Sequence, residues 1–190
     1  MPTPTATLDD IRTDLLSAVD PAYRDKIAVL VPTGATILGV RVPAVRTLAQ
    51  TWHRAHKELS PDAALDLLAA ACNRRCREEL LFAIVLLSRL KKKLDATHLE
   101  RLDPLVDGIE DWEVCDQLSM NVIGEIVAAG LGETARLEAW ARSDNPWRRR
   151  AAVASTTALT QKGRAHVAEA LAVCRHVMTE KDAGVKKAVG

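Results

Sequence analysis

The stretch SPDAALDLLAAACN, from Ser60 to Asn73, indicates the fold class of this chain. Ser60 is a residue type that caps helix N-termini. Pro61 fits a first helical turn because the N–H groups there have no acceptor within the helix, so the N–H that proline lacks is not needed. The leucines and alanines that follow recur at intervals of three and four residues, the spacing of one helix face. The stretch therefore predicts an amphipathic α-helix that begins at residue 61.

Two further stretches carry helix start signals. In THLERLDPLVDGI, Thr97 and Glu100 have the spacing of a capping box, and Pro104 predicts a kink or a break. In DNPWRRRAAVASTTAL, Asn145 or Asp144 is the expected cap. No stretch alternates apolar and polar residues long enough to support a strand, so the sequence predicts an all-α protein.

The predicted helix starts recur along the chain. Helix pairs begin near residues 61, 97, 133 and 164, and spacings of roughly 31 to 36 residues lie in or near the range of stacked helical repeats. A simple helical bundle would show no such period. We therefore predict a helical-repeat solenoid in one domain over residues 1–190.

The second helix of each predicted pair carries the unusual residues. These helices are expected over residues 75–93, 111–129 and 145–162. Stacked in register, they would line a single curved surface.

Two pairs of side chains on these second helices stand out. Trp112 and Asp116 are four residues apart and Trp147 and Arg150 are three apart, so each pair lies on one helix face. If the helices are neighbours, a carboxylate flanked by aromatic and guanidinium groups lies on the concave surface. The alternative is that both tryptophans fill the core and Asp116 acts as a cap or pairs with a nearby arginine.

Composition excludes several classes of protein. The chain has 190 residues, 48% of them hydrophobic, which is enough to bury a core. It has no run of about 18 apolar residues, and its start lacks the features of a signal peptide, so we expect a soluble, cytoplasmic protein without membrane contact.

Cysteine and histidine usage predicts neither disulfides nor a metal site. Cys72, Cys76, Cys115 and Cys174 are dispersed in a chain long enough to fold without crosslinks, so reduced thiols are expected. No second pair of Cys or His at ligand spacing completes a site with Cys72 and Cys76.

The net charge of +1 conceals a strong segregation. The excess is near −1 over residues 1–72, +5 over 73–94, −9 over 95–140 and +6 over 141–190. Such an alternation suits a polyanionic partner, but solvated helix faces of different sign would produce the same pattern. Charge alone leaves both interpretations open.

Five sequence blocks occur together in a characteristic order. They are ILGVRVPAVRTLA (37–49), REELLFAIVLL (77–87), DWEVCDQLS (111–119), NPWRRRAAVAS (145–155) and VKKAVG (185–190). In this order and approximate spacing, the chain from about residue 37 onward resembles the AlkD-like DNA alkylation repair proteins, which are helical-repeat DNA glycosylases. The resemblance implies a HEAT-like solenoid, an α-α superhelix with a concave DNA-binding face.

The resemblance also implies roles for individual residues. Asp116 corresponds to the catalytic carboxylate, and Trp112 corresponds to an aromatic wall beside the lesion. Arg150 matches the arginine that lies close to the damaged nucleotide and its backbone. For Trp147 we expect packing ahead of a role with the lesion.

Other basic residues are candidates for contacts with DNA phosphates. Arg148 and Arg149 should point to other faces of the helix, towards flanking phosphates. Lys91, Lys92 and Lys93 follow a repeat helix and either contact phosphate or form a solvated charge run.

The function implied by the resemblance is hydrolysis of the N-glycosidic bond of positively charged N3- or N7-alkylpurines in duplex DNA. No tight base-flipping pocket, metal or cofactor is expected, and the protein is expected to be a monomer. Two alternatives stay open: a DNA-binding member of the same family that excises nothing, and a helical-repeat scaffold that binds a protein or peptide through its acidic middle block.

The C-terminal block raises one question about the extent of the domain. The resemblance implies a second tryptophan directly after Gly190, where the given sequence stops. Either the domain is truncated just before the end of its last repeat, or one aromatic wall is missing.

Overall fold

The computed structural model describes residues 3–130, 133–161 and 163–189. Its regular structure in these ranges is helical, and the only β-type pairings described are two isolated bridges, Val19 with Val40 and Thr36 with Cys76. The predicted all-α class is therefore confirmed. Gly190, after which the resemblance implies a second tryptophan, lies outside the described residues.

The helices follow one another with short connections. They are α1 (Pro4–Leu16), α2 (Pro21–Leu30), α3 (Val42–Ala55), α4 (Pro61–Arg74), α5 (Arg77–Arg89), α6 (Ala96–Val106), α7 (Trp112–Leu118), α8 (Gly124–Ala129), α9 (Thr134–Ala141), α10 (Pro146–Leu159), α11 (Val167–Arg175) and α12 (Ala183–Val189). A 3₁₀ turn over Lys91–Lys93 follows α5, and a π-helical segment over Ser119–Ile123 joins α7 to α8. No helix in the described ranges is both long and apolar enough to cross a membrane.

The chain folds into two compact units, residues 1–93 and 94–190. In the first unit, α3 and α4 both pack against α5, and α1 packs against α4. In the second unit, α10 is the central helix and contacts α7, the π-helical segment, α8, α9, α11 and α12. The second helices of successive pairs are thus direct neighbours within the second unit.

Helix pairs recur as the sequence predicts. The first helices of the pairs begin at Pro61, Ala96, Thr134 and Val167, each within three residues of the expected starts at 61, 97, 133 and 164. This pattern is consistent with the predicted helical-repeat fold, since within the second unit each pair packs beside the next along the chain.

Two of the predicted helix caps are observed. The Ser60 side chain accepts a hydrogen bond from the backbone N–H of Ala63 at 3.1 Å. The Asn145 side chain accepts from the N–H of Trp147 at 2.9 Å, so Asn145 rather than Asp144 caps α10. Both caps satisfy backbone donors that have no partner inside the helix.

The predicted capping box of α6 is wrong. The helix begins at residue 96, and the box is formed by Asp95 and His98 instead of Thr97 and Glu100. Asp95, the residue directly before the helix, accepts hydrogen bonds from the N–H groups of Thr97 and His98. Thr97 therefore lies inside the first turn. Pro104 lies within α6, and the helix ends two residues later, at Val106.

Close packing of α8 on α10 depends on one glycine. A Cβ atom added to Gly124 would lie 2.4 Å from the carbonyl oxygen of Ser155 and 2.9 Å from the Cβ of Ala158. Because both contacts are shorter than van der Waals separation, a side chain here would push α8 away from the central helix.

We expect Gly124→Ala to lower the free energy of unfolding by about 1–3 kcal/mol, because the added methyl overpacks this helix contact. Urea denaturation measures the change. Gly130→Ala is the matched control, since a Cβ there meets nothing within 4 Å and should change stability by less than about 1 kcal/mol. Equal stability of the two variants would contradict the packing argument.

Candidate functional site

The candidate site begins at the N-terminus of α7. Trp112 is the first residue of the helix and Asp116 follows one turn later. Asp111 caps the helix, because its carboxylate accepts from the N–H groups of Glu113 at 2.7 Å and Val114 at 3.2 Å. The cap holds the start of α7 in place and thereby the two candidate side chains on it.

Asp116 and Arg150 form a two-pronged ion pair across α7 and α10. Nε of Arg150 donates to Oδ1 of Asp116 at 2.8 Å, and Nη2 donates to Oδ2 at 2.6 Å. The remaining terminal nitrogen, Nη1, donates to the carbonyl oxygen of Gly184 in α12. One guanidinium therefore connects three neighbouring second helices, and the pairing of Asp116 with an arginine, one of the two interpretations of the sequence, is observed.

The two partners of this ion pair differ in exposure. The Asp116 side chain retains 23% of its accessible surface, whereas that of Arg150 retains 6%. The carboxylate is thus the more accessible end of the pair. Fork-shaped pairing of this kind restrains a carboxylate in one orientation.

The two tryptophans of the candidate site have different surroundings. Trp112 is 39% exposed and is therefore not a core residue. Trp147 is half-buried, and its backbone carbonyl lies 3.7 Å from Sγ of Cys115, the neighbour of Asp116. The fully packed tryptophan of this unit is Trp140.

Arg148 lies in a network of carboxylates on α6 and its C-terminus. It donates from Nε to Asp107 at 2.5 Å and from Nη1 to Asp103 at 2.6 Å. The bond from Arg148 lowers the pKa of Asp107 below its ordinary value. Any contact of Arg148 with a DNA phosphate would have to share the guanidinium with these carboxylates.

Arg149 lies on another face of α10 and binds the segment before α12. It donates to Glu180 at 2.6 Å from Nε and to the carbonyl oxygens of Ser143 and Asp144 at 2.9 Å. The Arg149 guanidinium lowers the pKa of Glu180 to about 2. The predicted phosphate contact of Arg149 therefore also competes with a carboxylate of the protein.

The three lysines belong to the other compact unit. Lys91, Lys92 and Lys93 form the exposed 3₁₀ turn that ends residues 1–93. Their exposure fits either of the two interpretations, a phosphate contact or a solvated charge run.

The four cysteines are free thiols, of which Cys76 and Cys115 are buried. Burial raises the pKa of Cys115 to about 12 and that of Cys72 to about 11, and the structure contains Cys72, Cys76, Cys115 and Cys174 as free cysteines. No group of three or more His, Cys, Asp or Glu side chains with the geometry of a metal site occurs in the part of the chain that the structure describes.

A comparison with protein families matches residues 11–190 to the family described as DNA alkylation repair enzyme. The chain belongs to this family. Membership in the DNA alkylation repair family assigns the protein a role in DNA alkylation repair and DNA as its partner, and the family description indicates an enzyme. A search of curated proteins finds no match.

Several partners of the α10 arginines were not predicted from the sequence. Gly184 enters through its backbone carbonyl, which leaves no trace in the side-chain pattern. Asp103, Asp107 and Glu180 were counted only as acidic charge, although each binds an arginine of α10. The alternation of acidic and basic blocks could have suggested the pairing of Asp103 and Asp107 with Arg148, but not that of Glu180, which lies in the same block as Arg149.

The Glu180 carboxylate should make stability depend on pH. Its pKa in the folded protein, about 2, lies below the ordinary value of 4.5, so its contribution is complete above pH 4.5 and is lost as the pH falls towards 2. We expect Glu180→Gln to lower the free energy of unfolding by about 1–2 kcal/mol at pH 7, and the difference from wild type to shrink below pH 4.5.

Denaturation curves at pH 7, 4 and 3 measure this dependence. Glu169→Gln on α11 is the control, because Glu169 has no ion pair within the described residues, and it should differ from wild type equally at each pH. A Glu180→Gln difference that stays constant from pH 7 to pH 3 would contradict the assignment.

Proposed function

We propose that this protein is a DNA glycosylase that hydrolyses the N-glycosidic bond of positively charged N3- or N7-alkylpurines in duplex DNA. The observation that carries the proposal is the partly exposed Asp116 carboxylate, one helical turn from the exposed Trp112 and held by Arg150. Membership in a DNA alkylation repair family supports it.

The proposed reaction needs little from the protein beyond charge stabilisation. Alkylation at N3 or N7 places a positive charge on the purine, so the base leaves with the electron pair of the bond from C1′ and becomes neutral. The positive charge passes to the sugar, which becomes oxocarbenium-like. A water oxygen then bonds to C1′ and releases a proton. Because the base is already activated by its charge, no metal or cofactor takes part in this scheme.

Asp116 is the residue proposed to stabilise the sugar cation. A carboxylate about 4 Å from a unit positive charge contributes on the order of 4 kcal/mol at an effective dielectric constant near 20. The nearby Arg150 charge offsets part of this. Since Arg150 is the more buried partner, a cation that approaches from solvent meets the carboxylate first.

Arg150 is proposed to act mainly by orienting Asp116. Its two hydrogen bonds occupy one acceptor site on each carboxylate oxygen, and an ionised carboxylate has about four such sites. The remaining sites can therefore receive the attacking water. Trp112 would add a cation-π contribution of about 0.5–2 kcal/mol beside the charged base.

Binding of the duplex is proposed to rest on phosphate contacts, with Lys91, Lys92 and Lys93 as the first candidates because they are exposed. Arg148 and Arg149 are second candidates, since both already bind carboxylates. Such contacts give affinity without sequence preference. We propose that the protein acts without a tight base-flipping pocket and that a monomer is the active form.

The decisive test is release of 7-methylguanine and 3-methyladenine from methylated duplex DNA. Asp116→Asn should lower the single-turnover rate by about a hundredfold to a thousandfold, because it removes the charge that stabilises the transition state. Binding of methylated DNA should stay nearly unchanged, since the Asn side chain keeps the size of Asp and a hydrogen bond to Arg150.

Asp107→Asn is the matched control. Asp107 also forms a two-pronged pair with an arginine of α10, through bonds of 2.5 and 2.8 Å to Arg148, but it is not proposed to contact the lesion. It should lose stability without losing excision. Full activity in Asp116→Asn would refute the proposed role, and DNA binding by a wild-type protein that releases no base would favour the DNA-binding alternative.

The lysine turn is tested separately by the salt dependence of DNA binding. Replacing Lys91, Lys92 and Lys93 by Ala should weaken binding to duplexes of any sequence. It should also reduce the slope of log K against log salt concentration by about 0.9 for each phosphate that these lysines neutralise. Titrations by fluorescence anisotropy at several salt concentrations measure the slope, and an unchanged slope would identify the turn as a solvated charge run.

A further inference from the structure

The first compact unit contains a cavity that the proposed DNA chemistry does not use. Its volume is about 330 Å³, and its walls come from α1, α3, α4 and the segment between α3 and α4. This volume lies at the small end of the range for small-molecule sites. The residues proposed to act on DNA bases, Trp112, Asp116 and Arg150, all belong to residues 94–190, so this site goes beyond the proposed function.

One wall of the cavity is a preformed aromatic stack. The rings of Trp52 and His56 lie 3.8 Å apart, centroid to centroid, at an interplanar angle of 12°. Nδ1 of His56 donates to the backbone carbonyl of Trp52 at 2.8 Å, and Phe82 packs edge-on against Trp52 at 6.4 Å. These contacts hold both rings in place without a ligand.

Other lining residues divide into an apolar part and an acidic part. Leu59 and Leu67 are buried side chains that line the cavity. Three carboxylates, those of Asp10, Glu58 and Asp66, line it from α1, from the segment after α3 and from α4. No lysine or arginine is among the lining residues in the described part of the chain.

This combination selects one chemical class of ligand. A neutral apolar molecule would gain from the aromatic wall and the leucines but not from the carboxylates. An inorganic cation would gain from the carboxylates but would lose hydration against the apolar wall. Only an organic cation gains from both, as quaternary ammonium groups do where aromatic rings and carboxylates combine.

We propose that the cavity between α1, α3 and α4 is a binding site for a small organic monocation of the quaternary ammonium type. The Trp52 and His56 rings and the two leucines contact the apolar body of the cation. The carboxylates of Asp10 and Glu58 supply the opposite charge.

Isothermal titration calorimetry with two probes tests the site on the full chain in the absence of DNA. Choline carries the charge, and 3,3-dimethyl-1-butanol has the same shape without it. Choline should bind saturably at one site per chain. The neutral alcohol should bind at least about fivefold more weakly, because the attraction between two unit charges about 4 Å apart changes the dissociation constant by this factor even in water.

Variants of the exposed carboxylates locate the binding. Asp10→Asn and Glu58→Gln should each weaken choline binding about threefold to fivefold, with the effects combining in the double variant. Asp14→Asn is the matched control, since Asp14 lies one turn after Asp10 on α1 but does not line the cavity, and it should leave the affinity unchanged. Thermal unfolding of each variant by circular dichroism verifies that the fold is intact.

The proposal is overturned by any of three results. These are no saturable heat with millimolar choline, equal binding of choline and the neutral alcohol, or an unchanged affinity in both single variants. None of the three depends on base excision, so failure here leaves the glycosylase proposal untouched, and loss of excision in Asp116→Asn leaves this site untouched.

Discussion

The guanidinium of Arg150 is the interaction on which the candidate site depends. It donates to both carboxylate oxygens of Asp116 on α7 and to the carbonyl of Gly184 on α12, while its own helix, α10, lies between them. Removal of one partner from a buried charge pair costs several kcal/mol, because the other charge stays without compensation. The geometry of the site and the contact of three second helices therefore depend on the same group.

Successive arginines on α10 distribute their charge in three directions because each residue turns the helix by about 100°. Arg148 binds carboxylates of α6, Arg149 binds Glu180, and Arg150 binds Asp116. The pairs of Arg148 and Arg150 join the basic block over residues 141–190 to the acidic block over 95–140, whereas the Arg149–Glu180 pair lies within the basic block. The charge alternation in the sequence thus reflects internal ion pairs as well as surface charge. Neither interpretation made from the sequence, a polyanionic partner or solvated helix faces, included such pairs.

Buried carboxylates organise the first unit in a way that composition does not reveal. Glu78 is fully buried at the start of α5, and its oxygens accept from the backbone N–H groups of Leu38, Gly39 and Val40 at 2.9–3.3 Å. Backbone donors in an irregular segment need such acceptors when water is excluded. Glu78 supplies them from a position 38 to 40 residues further along the chain, which no local pattern predicts.

The sequence by itself determined the helical class, the recurrence of helix pairs and the positions of Trp112 and Asp116 on one helix face, because periodicity and caps act over a few residues. The prediction from sequence was wrong at the start of α6, where two possible capping residues lie two positions apart. Asp95, and not Thr97, is the cap. Only the tertiary structure decided that Arg150 holds Asp116 and reaches Gly184, and that Trp52 and His56 form the wall of a cavity. These contacts join residues distant in sequence or depend on backbone groups, so they follow from packing and not from local pattern.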